Sequence, residues 1–408
     1  MVKRPLRRLA VLALIALLLP LTGCSTGRYR PGRAEDLPFP RASEALPAPK
    51  AQWRHHLDGR LTDLSVASDA GRVLVAEVLE SISGNRTQLS LFAPSGARLW
   101  RATLDSPVRA QAISSAGDTV VVSTYQEELV RLDSKSGETL WKVGGTGMCR
   151  PAILEKSSKV LCHHDDDASP GLVFQVFDLD GKKVLDQKAP WDPLLLEVSR
   201  DESRILVGFT QGRLWMLDGK FKKLWEAQVD GELVDAAIPS PSAGASPIEA
   251  AILYNRKDGG QSLATLGAKG RRREDVREQI PLQQIEVTDD GSWVSAYGNG
   301  PRGQVVAQYD TDPKLAERWI HHSPTYADYN LKMDLLPPWT ILGFENIQDR
   351  TRFSQVVALN RTGTMPLHLP LATEEGAYLY SSGISRASRL LVVGTDDGSV
   401  TAYRLSIP

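Results

Sequence analysis

The chain lacks a charge excess of either sign: 48 lysines and arginines face 49 aspartates and glutamates. Binding along a nucleic-acid backbone draws on a basic surface, so no nucleic-acid partner is expected. Apolar runs are also scarce. The longest, Leu9 to Leu19, is about a dozen residues, too short to cross a bilayer comfortably. Cysteine is rarer still, at three residues, Cys24, Cys149 and Cys162. No nucleophile–base spacing, phosphate loop or paired-carboxylate motif stands out, so no catalytic residue is assigned and no cofactor is expected.

What the chain has is repetition. The phrase RLDSKSGETLW (Arg131 to Trp141) is a short strand ending in Leu-Asp, a Ser/Gly turn and a strand carrying Trp. It returns as SLFAPSGARLW (Ser90 to Trp100), QVFDLDGKKVL (Gln175 to Leu185) and LWMLDGKFKKLW (Leu214 to Trp225). Each copy follows a β-branched run such as RVLVAEV, TVVVSTY or RILVGFTQG, closed by small or polar residues. A period of roughly 40 to 50 residues with four short strands per unit and no room for crossover helices predicts an all-β propeller.

The two ends complete one unit. The last repeat, from about Tyr378, stops after three strands, and AQWRHHLDG (Ala51 to Gly59) resembles the missing fourth. The N-terminal strand Gln52 to Leu57 is therefore expected to pair with Val400 to Leu405. Counting fourth strands gives QWRHHL, RLWRATL, TLWKVGG, KVLDQKA, KLWEAQV, EDVREQI, RWIHHSP and MPLHLPL, hence a single propeller of eight blades; seven is the alternative if the weak copy around Glu274 is an insertion.

Residues 1–23 read as a signal peptide, with Lys3, Arg4, Arg7 and Arg8 ahead of the apolar core. The next four, Leu21 to Cys24, resemble the lipobox of bacterial lipoproteins, which implies cleavage before Cys24 and its acylation. Two or three acyl chains give a stable anchor, and Ser25 after the cysteine implies the outer membrane, with the protein facing the periplasm. Residues 24–50, rich in Pro, Arg and Ala, read as a flexible tether, and 51–408 as the propeller.

In that oxidising compartment Cys149 and Cys162 sit on two strands joined by the turn EKSS, and a disulfide between them is expected, two buried free thiols being the alternative. Six of the seven histidines fall in adjacent pairs, which point to opposite faces of a strand and chelate one metal poorly. The run His163-His164-Asp165-Asp166-Asp167 reads as a solvated loop, so no metal site is assigned. Aligning the first strands on the turn that follows places Ser65, Gln111, Ala152, Glu197, Asp235, Glu286, Asp334 and Ser382 at one level of the central channel. Glu197, Asp235, Glu286 and Asp334 would then form an acidic wall attracting cations or a basic peptide; a hydrated channel with scattered charges is the alternative.

The phrases LDSKSGETLW and VVGTDDGSVTAYRL resemble the repeats of the pyrroloquinoline-quinone-type propellers. The resemblance implies that Trp100, Trp141 and Trp225, with Trp53 and Trp319, dock between blades as structural residues. The quinoprotein dehydrogenases of that class also use a vicinal Cys-Cys pair and a calcium site, and this chain has no adjacent cysteines. In architecture the chain is similar to the BamB family of outer-membrane assembly lipoproteins, although the partner-binding loop motif of that family is not found. The expectation is a lipid-anchored interaction scaffold with a protein partner, in outer-membrane protein assembly or envelope maintenance; a small-ligand-binding or quinone-dependent dehydrogenase-type enzyme is the alternative. Three connecting segments, Pro239 to Pro247, Lys269 to Arg277 and Ser323 to Asn330, the last with Tyr326 and Tyr329, are the candidate interface loops.

Overall fold

The computed structural model describes residues 36–38, 49–79, 85–164, 171–240, 246–278, 281–300, 303–312, 314–323, 332–336, 339–348, 351–364, 367–370 and 379–405. These form eight sheets in chain order, each with four antiparallel strands and one, at residues 282–323, with a fifth strand added. Sheets I to VII span residues 60–104, 108–144, 149–188, 193–228, 231–278, 282–323 and 332–370. Sheet VIII takes three strands from 379–404, and its fourth is Ala51–His56, antiparallel to Ser399–Arg404. The weak copy around Glu274 is a full fourth strand, Arg272–Glu278, and so belongs to sheet V. The segment Lys269 to Arg277 is thus mostly ladder; its β-bonded backbone leaves only the short turn at Ala268–Gly270 as a connection.

Burial follows position in the sheet. Thr119–Thr124 and Leu390–Thr395, both second strands, are buried at every residue, since they are covered on both faces and flanked on both edges. Thr139–Gly144 and Lys183–Lys188, both fourth strands, alternate with solvent. The core is divided into apolar clusters that join consecutive sheets. Leu74, Leu89 and Trp100 of sheet I pack with Val108, Val120 and Leu132 of sheet II, and Leu390, Val392 and Val400 of sheet VIII pack with Leu61, Leu64 and Val75 of sheet I. Each such aliphatic side chain contributes about 1.5–3 kcal/mol on full burial, so the contact between the last sheet and the first resembles the others in kind.

The Leu-Asp-turn-Trp grammar has a local cause. Asp133 Oδ1 accepts hydrogen bonds from the backbone nitrogens of Lys135 and Ser136, both at 2.8 Å. Asp178, Asp218 and Asn360 hold their own turns in the same way. The backbone donors of Ser136 and Lys135 hold the Asp133 carboxyl below its ordinary value. The Trp of the fourth strand then seats on the matching turn of the next sheet: Trp100 Nε1 donates to Ser134 O at 3.0 Å and Trp141 Nε1 to Leu179 O at 2.8 Å. Gly137 has φ +77°, and a Cβ there would lie 2.8 Å from the Trp100 ring, so both the backbone and the packed indole require glycine. Trp53 and Trp319 dock alike, on Pro94 O and Arg361 O.

Two expectations change. Asp36–Pro38, inside the segment read as a free tether, pairs parallel with Ile320–His322 as a fifth strand of sheet VI. A fourth strand leaves one row of backbone groups unpaired, and a passing extended segment can satisfy it, with proline tolerated at such an edge. His163 and His164 are not in a loop: they end the second strand Lys159–His164 and are buried at 7% and 0% exposure. The apolar run that precedes them extends the ladder two residues further than the polar sequence suggests. Asp165 to Asp167, like the signal segment, Cys24, Tyr326 and Tyr329, lie outside the described residues. Among those described, no helix is long and apolar enough to cross a membrane.

Candidate functional site

The turns between first and second strands converge. Asp69 N and Ala70 N of sheet I both donate to Ser115 O of sheet II at 3.0 Å, and Ser115 N donates to the Glu155 carboxylate of sheet III. Lys156 N donates to Glu202 of sheet IV at 3.0 Å, Ser240 N of sheet V to Asp289 O of sheet VI at 2.8 Å, and Ala387 N of sheet VIII to Ser68 O of sheet I at 3.1 Å. Arg200 of sheet IV reaches beyond its neighbours. Its guanidinium lies 3.0 Å from Asp289 Oδ2 and 3.7 Å from Asp69 Oδ1, and Arg386 of sheet VIII meets the same Asp289 oxygen at 3.3 Å. One ion-pair cluster therefore ties together the first turns of sheets I, IV, VI and VIII.

Below that cluster lie the acids of the first strands. Burial, with the charge of Asp235 second, pushes the Glu197 carboxyl from 4.5 up to about 8. Burial also raises Asp235 to about 6, against the lowering effect of the Ile285 and Ala236 backbone donors. Both side chains keep some contact with solvent while being enclosed by protein on most sides, as groups in the wall of a narrow passage are.

The single level expected for these acids needs correction. In sheets I, II, IV, V, VI and VIII the first strand skips one residue against the second, after Leu61, Val108, Pro193, Leu233, Leu282 and Leu379. Counted from that bulge, Glu197 and Glu286 fall at one level. Asp235 falls two residues earlier, about 7 Å along the strand, because the connection following its strand is longer than the tight turns. Its Oδ2 accepts the Ile285 amide of the next sheet at 2.7 Å, a bond between sheets. Gln111 and Ser382 are one residue out of step and buried, with Gln111 Nε2 on Leu74 O. Asp334 lies on Lys332–Leu336 opposite Ile341, and its side chain is outside the described residues. Among the described residues the acid pair supported is Glu197 with Asp235.

Cys149 and Cys162 have Cα atoms 5.4 Å apart and joined sulfurs. They are not directly opposite: Cys149 faces His164 and Cys162 faces Pro151, so the bond crosses the ladder diagonally on one face. Among the described residues, no cluster of three or more His, Cys, Asp or Glu is arranged to hold a metal ion.

Sequence reasoning missed two features. His55 and His321 each follow a docking Trp by two residues, and each bonds through Nε2 to a turn glycine carbonyl, Gly96 O and Gly363 O, both at 2.7 Å. The matching phrases QWRHH and RWIHH carried that signal. The Arg200 cluster left none, because its members sit in turns far apart in the chain.

Repeated four-stranded sheets whose first turns converge and whose fourth strands lock onto the next sheet define a β-propeller. The family model described as "Outer membrane protein assembly factor BamB" matches residues 47–234. The structure of BamB from Moraxella catarrhalis is similar to this chain at 17% identity and a TM-score of 0.58, covering 88% of this chain and 98% of that one. The Chaetomium thermophilum Sqt1 structure, bound to the N-terminus of the ribosomal protein L10, is similar at 13% identity and a TM-score of 0.65, covering 85% and 97%. No curated protein sequence matches the chain.

Proposed function

We propose that this chain is a lipid-anchored scaffold of the bacterial cell envelope, an eight-bladed propeller closed by Ala51–His56 that binds a protein partner and does not turn over a substrate. The observation that carries the reading is the likeness to BamB along nearly the whole of both chains, with the family model falling on the N-terminal strand and the first four sheets. The pairing of Ala51–His56 with Ser399–Arg404 and the Arg200 cluster support closure, since only first strands arranged about a common axis bring Asp69, Arg200, Asp289 and Arg386 together. The Sqt1 complex supports a peptide or protein ligand, although fold by itself does not decide function. Residues 1–23 act as the lipoprotein signal, Cys24 carries the acyl chains, and the outer membrane, periplasmic side, is the site of action. Tyr326 and Tyr329 belong to the proposed partner-binding loop.

Detergent-phase partitioning of wild type and Cys24→Ala tests the anchor: the mutant is expected in the aqueous phase or unprocessed, and an unchanged membrane fraction refutes it. Crosslinking the anchored protein in cells tests the partner. Reduction of a dye with an alcohol or sugar after loading with pyrroloquinoline quinone and calcium would replace the scaffold reading with the enzyme one.

A further inference from the structure

The chain is neutral as a whole, yet the turns joining third and fourth strands in sheets III, IV and V are crowded with cations. Lys182, Lys220, Lys222, Lys269, Arg271 and Arg273 are all exposed. Their neighbours Lys183, Lys223 and Arg272 are engaged by Asp186, Glu226 and Asp275, whereas none of the six is ion-paired among the described residues. The turns of sheets III and IV are held by Asp178 and Asp218 on backbone nitrogens, and the three turns are adjacent, since Trp225 packs on Gly270 and Phe174 lies 5.7 Å from Phe221.

A second feature accompanies the charge. Each fourth strand here carries a bulge just before the Trp position, which turns one side chain outward: Val184 in sheet III and Leu224 in sheet IV, 47% and 44% exposed. Aliphatic tips set among free lysines and arginines match an anionic lipid interface, which takes up charge and apolar surface together. The N-terminal strands also run from this end: Ala51 lies opposite Tyr403, at the end of the sheet that carries the third-to-fourth-strand turns, and Asp36–Pro38 runs parallel to the fourth strand of sheet VI.

We propose that this basic rim of sheets III to V is a docking surface for anionic phospholipid headgroups, laying that end of the propeller on the membrane. The choice of lipid over an acidic protein rests on the lipid-anchored reading; the surface chemistry does not.

The test is flotation of the full chain with vesicles of phosphatidylcholine alone and of phosphatidylcholine mixed with phosphatidylglycerol, at low and high salt. An acyl chain or uncleaved signal contributes to both vesicles, so the excess on anionic vesicles reads the rim and the detergent partitioning of Cys24→Ala reads the anchor separately. Wild type is expected to prefer anionic vesicles, less so at high salt. Lys182→Ala/Lys220→Ala/Lys222→Ala/Arg271→Ala should lose at least about tenfold of that excess, while Lys188→Ala/Lys257→Ala, at the opposite end of the sheets, should keep it. If the quadruple variant does not fold, Lys220→Ala/Lys222→Ala, in a turn held by backbone bonds, carries the test. Equal binding of wild type to both vesicles, or no loss in the rim variants, overturns the proposal. So does a rim variant that releases an acidic co-purifying protein with vesicle binding unchanged, which would assign the rim to a protein.

Discussion

Replacing Glu197 with glutamine should stabilise the protein only above about pH 4.5, by an amount that grows up to about pH 8. The Glu197 carboxyl is pushed from 4.5 to about 8, first by burial and then by the Asp235 charge. Below pH 4.5 the folded and unfolded states both hold the proton and nothing is lost. As pH rises to about 8, the unfolded chain releases a proton that the fold retains, and stability falls by about 1.4 kcal/mol per pH unit. Across that window the loss sums to ~5 kcal/mol, a ceiling set by the solvent contact Glu197 keeps. Glutamine is close to isosteric and carries no charge, so Glu197→Gln removes the penalty above pH 8 and changes little at pH 4. Denaturant melts at pH 4, 6 and 8 measure it. A variant that gains equally at pH 4 and pH 8, or gains nothing at pH 8, refutes the placement of Glu197 in a desolvated passage.

Trp225→Ala should cost about 3–5 kcal/mol, since its ring packs on Gly270 and its Nε1 bonds the Glu249 carboxylate at 2.6 Å; a melt within 1 kcal/mol of wild type, about the size of a surface change, would show that the dock is not structural. Cys149 and Cys162 should give no free thiol in denatured protein until reductant is added, and Cys149→Ala/Cys162→Ala should lose about 3 kcal/mol; two free thiols without reductant sink the bond. Removing residues up to Gly59 deletes the fourth strand of sheet VIII, so the truncated chain should unfold at clearly lower denaturant. If it melts like the untruncated protein, the proposed closure is wrong.

The architecture was legible because it repeats. The eight fourth strands expected from the sequence coincide with strands of the eight sheets, from Ala51–His56 to Leu367–Pro370. Local chemistry fixed them: Asp133 or Asp178 capping a turn, a glycine under an indole, a β-branched second strand. The acids were less legible because their level depends on a bulge, and one skipped residue after Leu233 or Val108 changes which side chains face inward. The Arg200 pairs were not legible at all. Asp69 and Asp289 lie in turns separated by several sheets, and nothing in the local sequence of a turn says what it meets across the axis.

That contrast separates structural from functional positions in a repeat protein. Where copies agree, the residue serves the blade: Trp100, Trp141 and Trp319 each donate to a backbone carbonyl of the next sheet's turn, and Trp225 packs on the matching turn glycine, Gly270, with its Nε1 on the Glu249 carboxylate instead, so their recurrence says nothing of a ligand. Where copies occupy the same position with different chemistry, the blade does not require the choice. The bulge of the fourth strand is such a position, holding Leu99, Leu140, Val184 and Leu224 in sheets I to IV but Arg273 and Arg318 in sheets V and VI. All of these satisfy the same backbone geometry, and a bulge tolerates any outward side chain. Arg318 is held by Asp310 of its own sheet, so of the two cations only Arg273 is free to be set by what lies outside the molecule. By the same reasoning the first turns, where Arg200 and Arg386 replace the small or acidic residues of other copies, carry charges that the blade does not require, and there both meet Asp289 of sheet VI.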